Sequence, residues 1–317
     1  MGSIDVTSST VSSKIFRSYL LHVISVCLVL LLACFLPLSR QEDTNSTLLV
    51  VAGLEGTGHH MWHQYVFPDL SRRVHSEYVE HFDEYHHMSR RLKRVTKYPA
   101  AFDPNHTDTK LFTYGNDSLS MLTNMFTLMQ SRSESNIKHK LYILDICSFP
   151  CGPSRTHGHD PDLIMIREAA KGADPPLNFR VLLQWRDPIE AVASATTNRK
   201  CCYVGDTLAV PLQAHVLRTS LMHMNNQLRT IYHTDKDSEV REMAVLDYNK
   251  FVNNITLRDG YIHAMSKWLN LPVDVKRSLF ESVNAKVRKP SVRWADQFTT
   301  QESDYLSEIF HRSTTLW

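Results

Sequence analysis

The sequence has few cysteines and almost no excess charge, and these two shortages exclude several classes of protein. Six cysteines in 317 residues are too few for a disulfide scaffold, and no C-x-x-C pair or Cys/His spacing of the zinc-finger kind occurs. The 35 basic and 33 acidic residues leave a formal net charge of +2, so no strong basic field favours nucleic acid as the partner. With 43% hydrophobic and 21% charged residues, the composition is that of a globular protein with a sizeable core.

Two common phosphate-binding signatures are also missing. The glycine-rich segment at 53–60, GLEGTGHH, has no lysine where the Walker A pattern G-x-x-x-x-G-K-[ST] requires one. The dinucleotide-binding pattern G-x-G-x-x-G is absent as well. ATP chemistry and binding of a nicotinamide or flavin dinucleotide are therefore disfavoured.

One long hydrophobic run is present near the start of the chain. Residues 19–38 are 20 positions without Asp, Glu, Lys or Arg, and as a helix they reach about 30 Å, the thickness of a bilayer core. Lys14 and Arg17 precede the run, so we expect a transmembrane signal-anchor with a cytoplasmic tail at 1–18. A cleaved signal peptide is the alternative.

The signal-anchor orientation places the rest of the chain in the lumen of the secretory pathway. We expect a short stem at 39–47 and one lumenal domain at 48–317. Four cysteines lie after the hydrophobic run, and the sequence leaves any pairing among them open. Four N-glycosylation sequons, which matter only on the lumenal side, are mild support for a glycoprotein. The sequons are at Asn45, Asn105, Asn116 and Asn254.

Short apolar runs alternate with helical patterns through the predicted lumenal domain. Strands that alternate with helices favour a parallel sheet covered on both faces. The predicted fold class is therefore α/β, a single domain with a central parallel sheet flanked by helices. Strands are predicted at 48–52, 141–146, 179–185 and 242–246, and helices at 162–171, 212–231, 259–269 and 300–312.

The first predicted strand runs directly into a glycine-rich junction. Gly53, Gly56 and Gly58 stand between the end of that strand and the start of a predicted helix. In an open α/β sheet, backbone N–H groups and the helix dipole at such a junction attract anions. A turn that merely needs positive φ is the alternative explanation of these glycines.

A second polar cluster follows the strand at 179–185. Arg186 is succeeded by Asp187 and Pro188, which suit the N-cap and the first turn of a helix. Ser194 lies two helical turns further on, so a guanidinium and a hydroxyl group can form a compact phosphate site. A structural salt bridge between Arg186 and Asp187 is the competing interpretation.

These two segments carry a resemblance to a known family. The chain resembles the membrane-anchored, Golgi-type sulfotransferases that use 3′-phosphoadenylyl sulfate (PAPS). In that family a loop of the form G-x-x-[KR]-[SG]-G-T-T binds the 5′-phosphosulfate, and GLEGTGHH at 53–60 matches its frame. A strand followed by R-[DN]-P and a serine eight residues after the arginine binds the 3′-phosphate, and QWRDPIEAVAS at 184–194 is similar. Weaker similarities are MAVLDYNKFV at 243–252 and MSKWLNLP at 265–272.

The resemblance implies a P-loop-like sulfotransferase fold over most of 48–317, with PAPS as co-substrate and no metal. One departure matters, because Gly56 stands where the family has Lys or Arg, and His59 and His60 replace the Thr-Thr pair. We therefore expect a histidine to supply donors to the 5′-phosphosulfate. The resemblance places the cofactor-binding residues at Gly56, Thr57, Gly58, His59, His60, Arg186 and Ser194.

Sulfuryl transfer also needs a base for the acceptor proton. Glu55 and His60 are the predicted catalytic residues, because they lie next to the expected phosphosulfate. A basic segment with Lys286, Arg288, Lys289 and Arg293 resembles in position the family's C-terminal cofactor-closing segment, and a plain solvated charge run is the alternative.

The predicted function is transfer of a sulfuryl group from PAPS to a hydroxyl or amine of a glycan, peptide or small molecule in the Golgi lumen. One alternative is a metal-dependent lumenal glycosyltransferase, since the D-x-D pattern occurs at 160–162 and 235–237. The other is a catalytically inactive homologue that binds PAP or PAPS. His59 and His63 have metal-ligand spacing but lack a third ligand. The sequence selects neither the acceptor nor an oligomeric state.

Overall fold

Five parallel strands form the central sheet of the described residues. The strands in chain order are β1 (Thr47–Ala52), β2 (Val79–Phe82), β3 (Leu141–Leu144), β4 (Cys151–Ser154), β5 (His157–His159), β6 (Asn178–Trp185) and β7 (Met243–Asp247). The sheet has the order β2-β3-β1-β6-β7, whereas β4 and β5 pair antiparallel outside it. The computed structural model describes residues 46–54, 56–58, 61–74, 78–82, 118–131, 140–144, 146, 148–149, 151–154, 157–195, 210–234, 241–287 and 298–311.

Helices cover both faces of this sheet. A π-helical turn, Trp62–Val66, leads into the first α-helix. The α-helices are α1 (Phe67–Arg73), α2 (Ser118–Ser131), α3 (Leu163–Gly172), α4 (Pro188–Ala193), α5 (Val210–Thr234), α6 (Tyr248–Asn253), α7 (Ile255–Trp268), α8 (Val273–Lys286) and α9 (Thr300–His311).

Strand β1 is buried on both faces, because its side chains alternate between two apolar cores. Leu48, Val50 and Ala52 pack in a core with side chains from α2, α3, α5 and α9. Leu49 and Val51 pack in a second core with α1, α6, α7 and α8. Burial of each Val or Leu side chain stabilises the fold by about 1.5–3 kcal/mol, so β1 is anchored firmly from both sides. The turn that follows β1 therefore starts from a fixed point.

The chain leaves the carboxyl ends of β1 and β6 in opposite directions across the sheet. After β1 it continues to β2 at one edge, and after β6 it continues to β7 at the other edge. In open parallel sheets, the crevice between two such strands is the usual place for ligands. Both predicted anion-binding segments, 53–58 and 186–194, begin at this crevice.

The predicted parallel sheet with flanking helices is confirmed. The four predicted strands are observed with ends shifted by at most two residues, and the four predicted helices are observed with ends shifted by about one turn or less. The sequence analysis missed β2, β4, β5, α2, α6 and α8. Among the described residues, no helix is long and apolar enough to cross a bilayer. The predicted membrane helix at 19–38 lies outside the described residues and stays a prediction.

Candidate functional site

The segment after β1 is a tight turn built on two glycines. Gly56 and Gly58 have φ angles of +85° and +84°, in the left-handed region that favours glycine. Thr57 between them is buried, and its Oγ1 and backbone N–H both donate to the carbonyl oxygen of Leu54, at 2.7 and 3.0 Å. Met61 N–H then donates to the Gly58 carbonyl oxygen at 2.9 Å, where the helical segment begins. Turns with left-handed residues can orient backbone N–H groups toward an anion.

Gly56 is packed so tightly that no side chain fits at this position. A Cβ atom at Gly56 would lie 2.0 Å from the carbonyl oxygen of Ala191 and 3.1 Å from the backbone nitrogen of Ala195. Both neighbours are backbone atoms at α4 and its C-terminal end, so they cannot move aside cheaply. A Lys or Arg side chain at position 56 is therefore excluded by the backbone of this chain.

Gly58 meets a comparable restriction from the far side of the site. A Cβ atom there would lie 2.6 Å from Cε2 of Tyr248, the first residue of α6. The turn is thus held between α4 on one side and the Tyr248 ring on the other.

Gln184, near the end of β6, ties the turn to the sheet. Its side chain is fully buried, and its Nε2 donates to the carbonyl oxygen of Thr57 at 2.6 Å. Its Oε1 accepts a hydrogen bond from Trp62 Nε1 at 2.5 Å. Because each buried polar atom of this amide has a partner, Gln184 links the turn, β6 and the following helical segment. The sequence analysis missed Gln184, whose only signal was an amide inside an otherwise apolar strand.

Arg186 lies directly against the glycine turn. Its Nη1 donates to the carbonyl oxygen of Gly56 at 2.9 Å, and its Nη2 lies 3.3 Å from Oε2 of Glu190. The guanidinium carbon is 5.1 Å from the centre of the Tyr248 ring, within the range of a cation–π contact. Arg186 and Glu190 are both 6% exposed. The structure therefore brings together two of the predicted segments, the turn after β1 and the start of the segment after β6.

The acidic partner of Arg186 differs from the one that the competing interpretation named. Asp187 caps α4, since its Oδ1 accepts from the backbone N–H groups of Ile189 and Glu190 at 3.0 and 3.1 Å. Glu190, one turn further along the helix, makes the ion pair with Arg186. This is the ordinary i,i+4 spacing of a helical ion pair. The predicted N-cap and the predicted Pro188 start of the helix are both observed.

Ser194 is buried at the C-terminal end of α4. Its backbone N–H donates to the carbonyl oxygens of Glu190 and Ala191. Since Ala191 and Ala195 flank Gly56, Ser194 belongs to the segment that packs against the turn. The predicted role of its hydroxyl group at a phosphate stays a prediction.

Several predicted site residues lie outside the described residues. These are Glu55, His59, His60, Arg288, Lys289 and Arg293, and their roles stay predictions. Lys286 is described, and its Nζ lies 3.7 Å from Oδ1 of Asp69 on α1. Arg73 also donates to Asp69, at 2.6 Å, and this hydrogen bond lowers the pKa of Asp69 below its ordinary value. Lys286 therefore takes part in a charge cluster between α1 and α8.

The D-x-D pattern and the pair His59 and His63 were the possible metal-binding patterns of the sequence. Where their residues are described, they contact other protein side chains or cap a helix. His63 is buried and packs against the rings of Phe67 and His81. Asp160 Oδ2 lies 3.0 Å from Nδ1 of His223, and Asp162 caps α3 by accepting from the Met165 N–H. The second D-x-D pattern, 235–237, and His59 lie outside the described residues.

Two open pockets lie away from the glycine turn. One of about 390 Å³ is lined by α3 and α5, including His223 and Gln227. The other, about 460 Å³, lies between α7 and α8, with Lys276 and Arg277 in its wall. Neither is lined by Arg186 or the turn, so the candidate site rests on the contacts around Arg186.

The arrangement at the β1–β6 crevice is suited to binding a phosphate-like anion. It combines a turn with left-handed glycines, a buried guanidinium and a helix segment with a hydroxyl group. Hydrogen bonds to a charged group contribute about 1.5–3 kcal/mol each, against about 0.3–1 kcal/mol for a helix dipole. The side-chain and backbone donors would therefore dominate binding.

No family model matches this sequence, and no curated protein shows a significant match. Among solved structures, the chain is similar to mouse sulfotransferase SULT7A1 complexed with PAP, at 9% identity and a TM-score of 0.42, over 86% of this chain and 85% of that one. It is also similar to the sulfotransferase domain from the curacin biosynthetic pathway, at 11% identity and a TM-score of 0.41, over 86% and 92%. The sulfotransferase STF9 from Mycobacterium avium matches at 12% identity and a TM-score of 0.37, over 84% and 76%. All three are sulfotransferases.

Proposed function

We propose that this protein is a sulfotransferase that moves a sulfuryl group from PAPS to a hydroxyl or amine acceptor. One observation carries the proposal: the Arg186 guanidinium contacts the Gly56 carbonyl oxygen at the crevice between β1 and β6. Two segments that the sequence predicts to hold opposite ends of one bisphosphorylated nucleotide are thereby adjacent. Their position at the carboxyl ends of neighbouring strands is where an α/β sheet binds nucleotides.

In this proposal the turn at 56–58, with His59 and His60, holds the 5′-phosphosulfate, and Arg186 with Ser194 holds the 3′-phosphate. One atom of the guanidinium supports the proposed contact with the 3′-phosphate. Arg186 Nε is a buried N–H group that has no hydrogen-bond partner among the described residues. A buried donor without an acceptor costs about 1–3 kcal/mol, more when it is charged. An anionic ligand oxygen would remove that cost.

PAPS supplies an activated sulfuryl group on a phosphate leaving group. When the acceptor oxygen or nitrogen forms its bond to sulfur, the bond from sulfur to the phosphate oxygen breaks and PAP leaves. The chain's part is to align the two reactants, to accept the acceptor proton and to stabilise the charge that develops on the phosphate. We assign the proton to Glu55 or His60, and a general base of this kind contributes about 10² to 10⁴ in rate.

We further propose that the catalytic domain works in the lumen of the Golgi, held by one type II membrane helix at 19–38. The apolar run, the basic residues before it and the four sequons support this placement. The acceptor is a glycan, a peptide or a small metabolite; the partners are this acceptor and the membrane, without nucleic acid or a bound metal.

The test is transfer of labelled sulfate from PAPS to a panel of glycan, tyrosyl-peptide and small-molecule acceptors by the full-length chain. The proposal expects product with at least one acceptor class, undiminished by EDTA, and loss of product in Arg186→Ala. The matched control is Arg167→Ala, which removes a buried arginine that pairs with Glu242 just before the amino end of β7, whereas the candidate site lies at the carboxyl ends of β1 and β6. Turnover that requires a metal and a nucleotide sugar would favour the glycosyltransferase, and PAP binding without turnover would favour the inactive homologue.

A further inference from the structure

The positive charge of Arg186 is already balanced inside the protein. Glu190 lies one helical turn after Arg186, and its Oε2 is 3.3 Å from the guanidinium Nη2. Both side chains are at least nine-tenths buried, so solvent screens the pair weakly. A phosphate that binds the guanidinium must therefore compete with a carboxylate that the protein itself provides.

The three sides of the guanidinium are engaged to different degrees. Nη1 holds the Gly56 carbonyl oxygen at 2.9 Å, Nη2 faces Glu190, and Nε has no partner among the described residues. The Tyr248 ring covers one face. A ligand oxygen thus needs Nε or Nη2, and the hydrogen bond from Nη2 to Glu190, at 3.3 Å, is longer than the one from Nη1 to Gly56.

The distance between Arg186 and Glu190 marks this pair as easy to exchange. A good charge-assisted hydrogen bond between nitrogen and oxygen measures about 2.7–2.9 Å. A second buried Arg–Glu pair among the described residues, Arg167 with Glu242, is short at 2.6 Å, and Lys171 also contacts Glu242 at 2.8 Å. Arg167 and Glu242 form a tight structural pair, whereas Arg186 and Glu190 form a loose one beside the candidate site.

We propose that Glu190 is a positioning residue that stands in for the ligand phosphate: it holds Arg186 against the glycine turn until the phosphate displaces it from Nη2. The inference rests on the proposed function, since it concerns the same site. A built-in carboxylate keeps the buried guanidinium paired before the nucleotide binds, because an unpaired buried charge is strongly destabilising. The carboxylate also lowers the affinity for the anion. Binding gains only the difference between the free energy of the contact of Arg186 with the phosphate and that of its contact with Glu190.

This role of Glu190 and a purely structural role predict opposite effects of its neutralisation on nucleotide affinity. If Glu190 only stabilised α4, its removal would loosen Arg186 and weaken nucleotide binding. If Glu190 stands in for the phosphate, its neutralisation leaves a guanidinium that lacks an anion and binds one more tightly.

The test is calorimetric titration of PAP into the full-length chain and into Glu190→Gln, which keeps the size of the side chain and removes its charge. We expect Glu190→Gln to bind PAP about tenfold or more tightly, the scale of one charge-assisted hydrogen bond, and to unfold at a lower temperature without ligand. Glu190→Asp, which retains the charge, should stay close to the wild type. The matched control Glu242→Gln removes a buried carboxylate of the other Arg–Glu pair and should leave PAP affinity unchanged.

Equal or weaker binding by Glu190→Gln, with a wild type that binds PAP, would overturn this inference and leave the proposed function standing. A wild type that does not bind PAP would overturn both. If Glu190→Gln is too unstable to titrate, the rise in its unfolding temperature at saturating PAP replaces the titration. That rise must exceed the wild-type rise, and an equal or smaller one overturns the inference.

Discussion

The guanidinium of Arg186 donates to the carbonyl oxygen of Gly56 across 2.9 Å, although the two residues are 130 positions apart in the chain. This contact joins the ends of two neighbouring parallel strands, β1 and β6. It also explains why a glycine at position 56 is compatible with an anion site, because a cation reaches the turn from the next strand.

Gly56→Ala should destabilise the protein by more than about 2 kcal/mol, because the new methyl group meets the Ala191 carbonyl oxygen at 2.0 Å and the φ angle is left-handed. Gly260→Ala is the matched control, since a Cβ atom there has open space on α7. Alanine at that helix position should stabilise by about 0.5–1 kcal/mol. Urea unfolding gives the free energy of unfolding of both variants. An equal change in the two variants would contradict the packing described for the turn.

Gln184→Leu should destabilise the protein by about 2–4 kcal/mol, because the Thr57 carbonyl oxygen and the Trp62 Nε1–H both lose their buried partner. It should also weaken PAP binding, since the glycine turn loses its tie to β6. Gln130→Leu is the control, because Gln130 makes one exposed hydrogen bond, to the Pro175 carbonyl oxygen. Unfolding and PAP titration are measured on both; a Gln184→Leu variant as stable as the control would refute the anchoring role.

Asp69 should make part of the stability depend on acid pH. Its pKa is lowered in the folded protein, chiefly by the hydrogen bond from Arg73. The stabilisation is therefore fully present above the unfolded-state pKa of about 3.9 and is lost as the pH falls through the lower folded-state value. The difference in unfolding free energy between wild type and Asp69→Asn should stay constant from pH 7 down to about 5 and narrow only as the pH falls below about 4. A difference that does not narrow below about pH 4 would contradict the ion pairing.

Asn254 should carry an N-linked glycan if the catalytic domain is lumenal. Asn254 is exposed, and its Oδ1 caps α7 by accepting a hydrogen bond from the Leu257 N–H at 3.1 Å. The side-chain nitrogen of Asn254 is thus left for attachment of the sugar. Asn254→Asp removes the sequon and keeps a good helix cap, so it should lose one glycan without losing stability. Thr256→Ala removes the same sequon by another route. The glycan is measured by the gel mobility of protein from expressing cells before and after glycosidase treatment. A wild type without a glycan at Asn254 would count against a lumenal catalytic domain.

The sheet and the glycine turn were readable from sequence, because their signals are local. Buried parallel strands such as β1 and β6 are continuous apolar runs, and Pro188 with Asp187 marks a helix start. The ion pair between Arg186 and Glu190 could also have been predicted from the sequence. Asp187 is used as the helix cap, and Glu190 has the i,i+4 spacing of a helical ion pair with Arg186.

Other features depend on tertiary contacts or lack a local signal. Strand β2 (VEHF) is only four residues long, has two polar residues in its middle and lies at a sheet edge, and α2 has no charged residue to mark its exposed face. Helix α8 begins at Val273, and its N-cap residue, Pro272, provides no side-chain hydrogen bond. The role of Gln184 arises only when the turn after β1 and the helical segment after it meet β6, so sequence spacing does not reveal it.

The central claim is that Arg186 and the glycine turn together bind a 3′,5′-bisphosphorylated adenosine. Equilibrium binding of PAP to the full-length protein tests it most directly, with Arg186→Ala and the control Arg167→Ala measured beside the wild type. The account predicts saturable binding by the wild type and by Arg167→Ala, and at least about tenfold weaker binding by Arg186→Ala. A wild type that does not bind PAP, or an Arg186→Ala variant that binds it as tightly, would contradict the account.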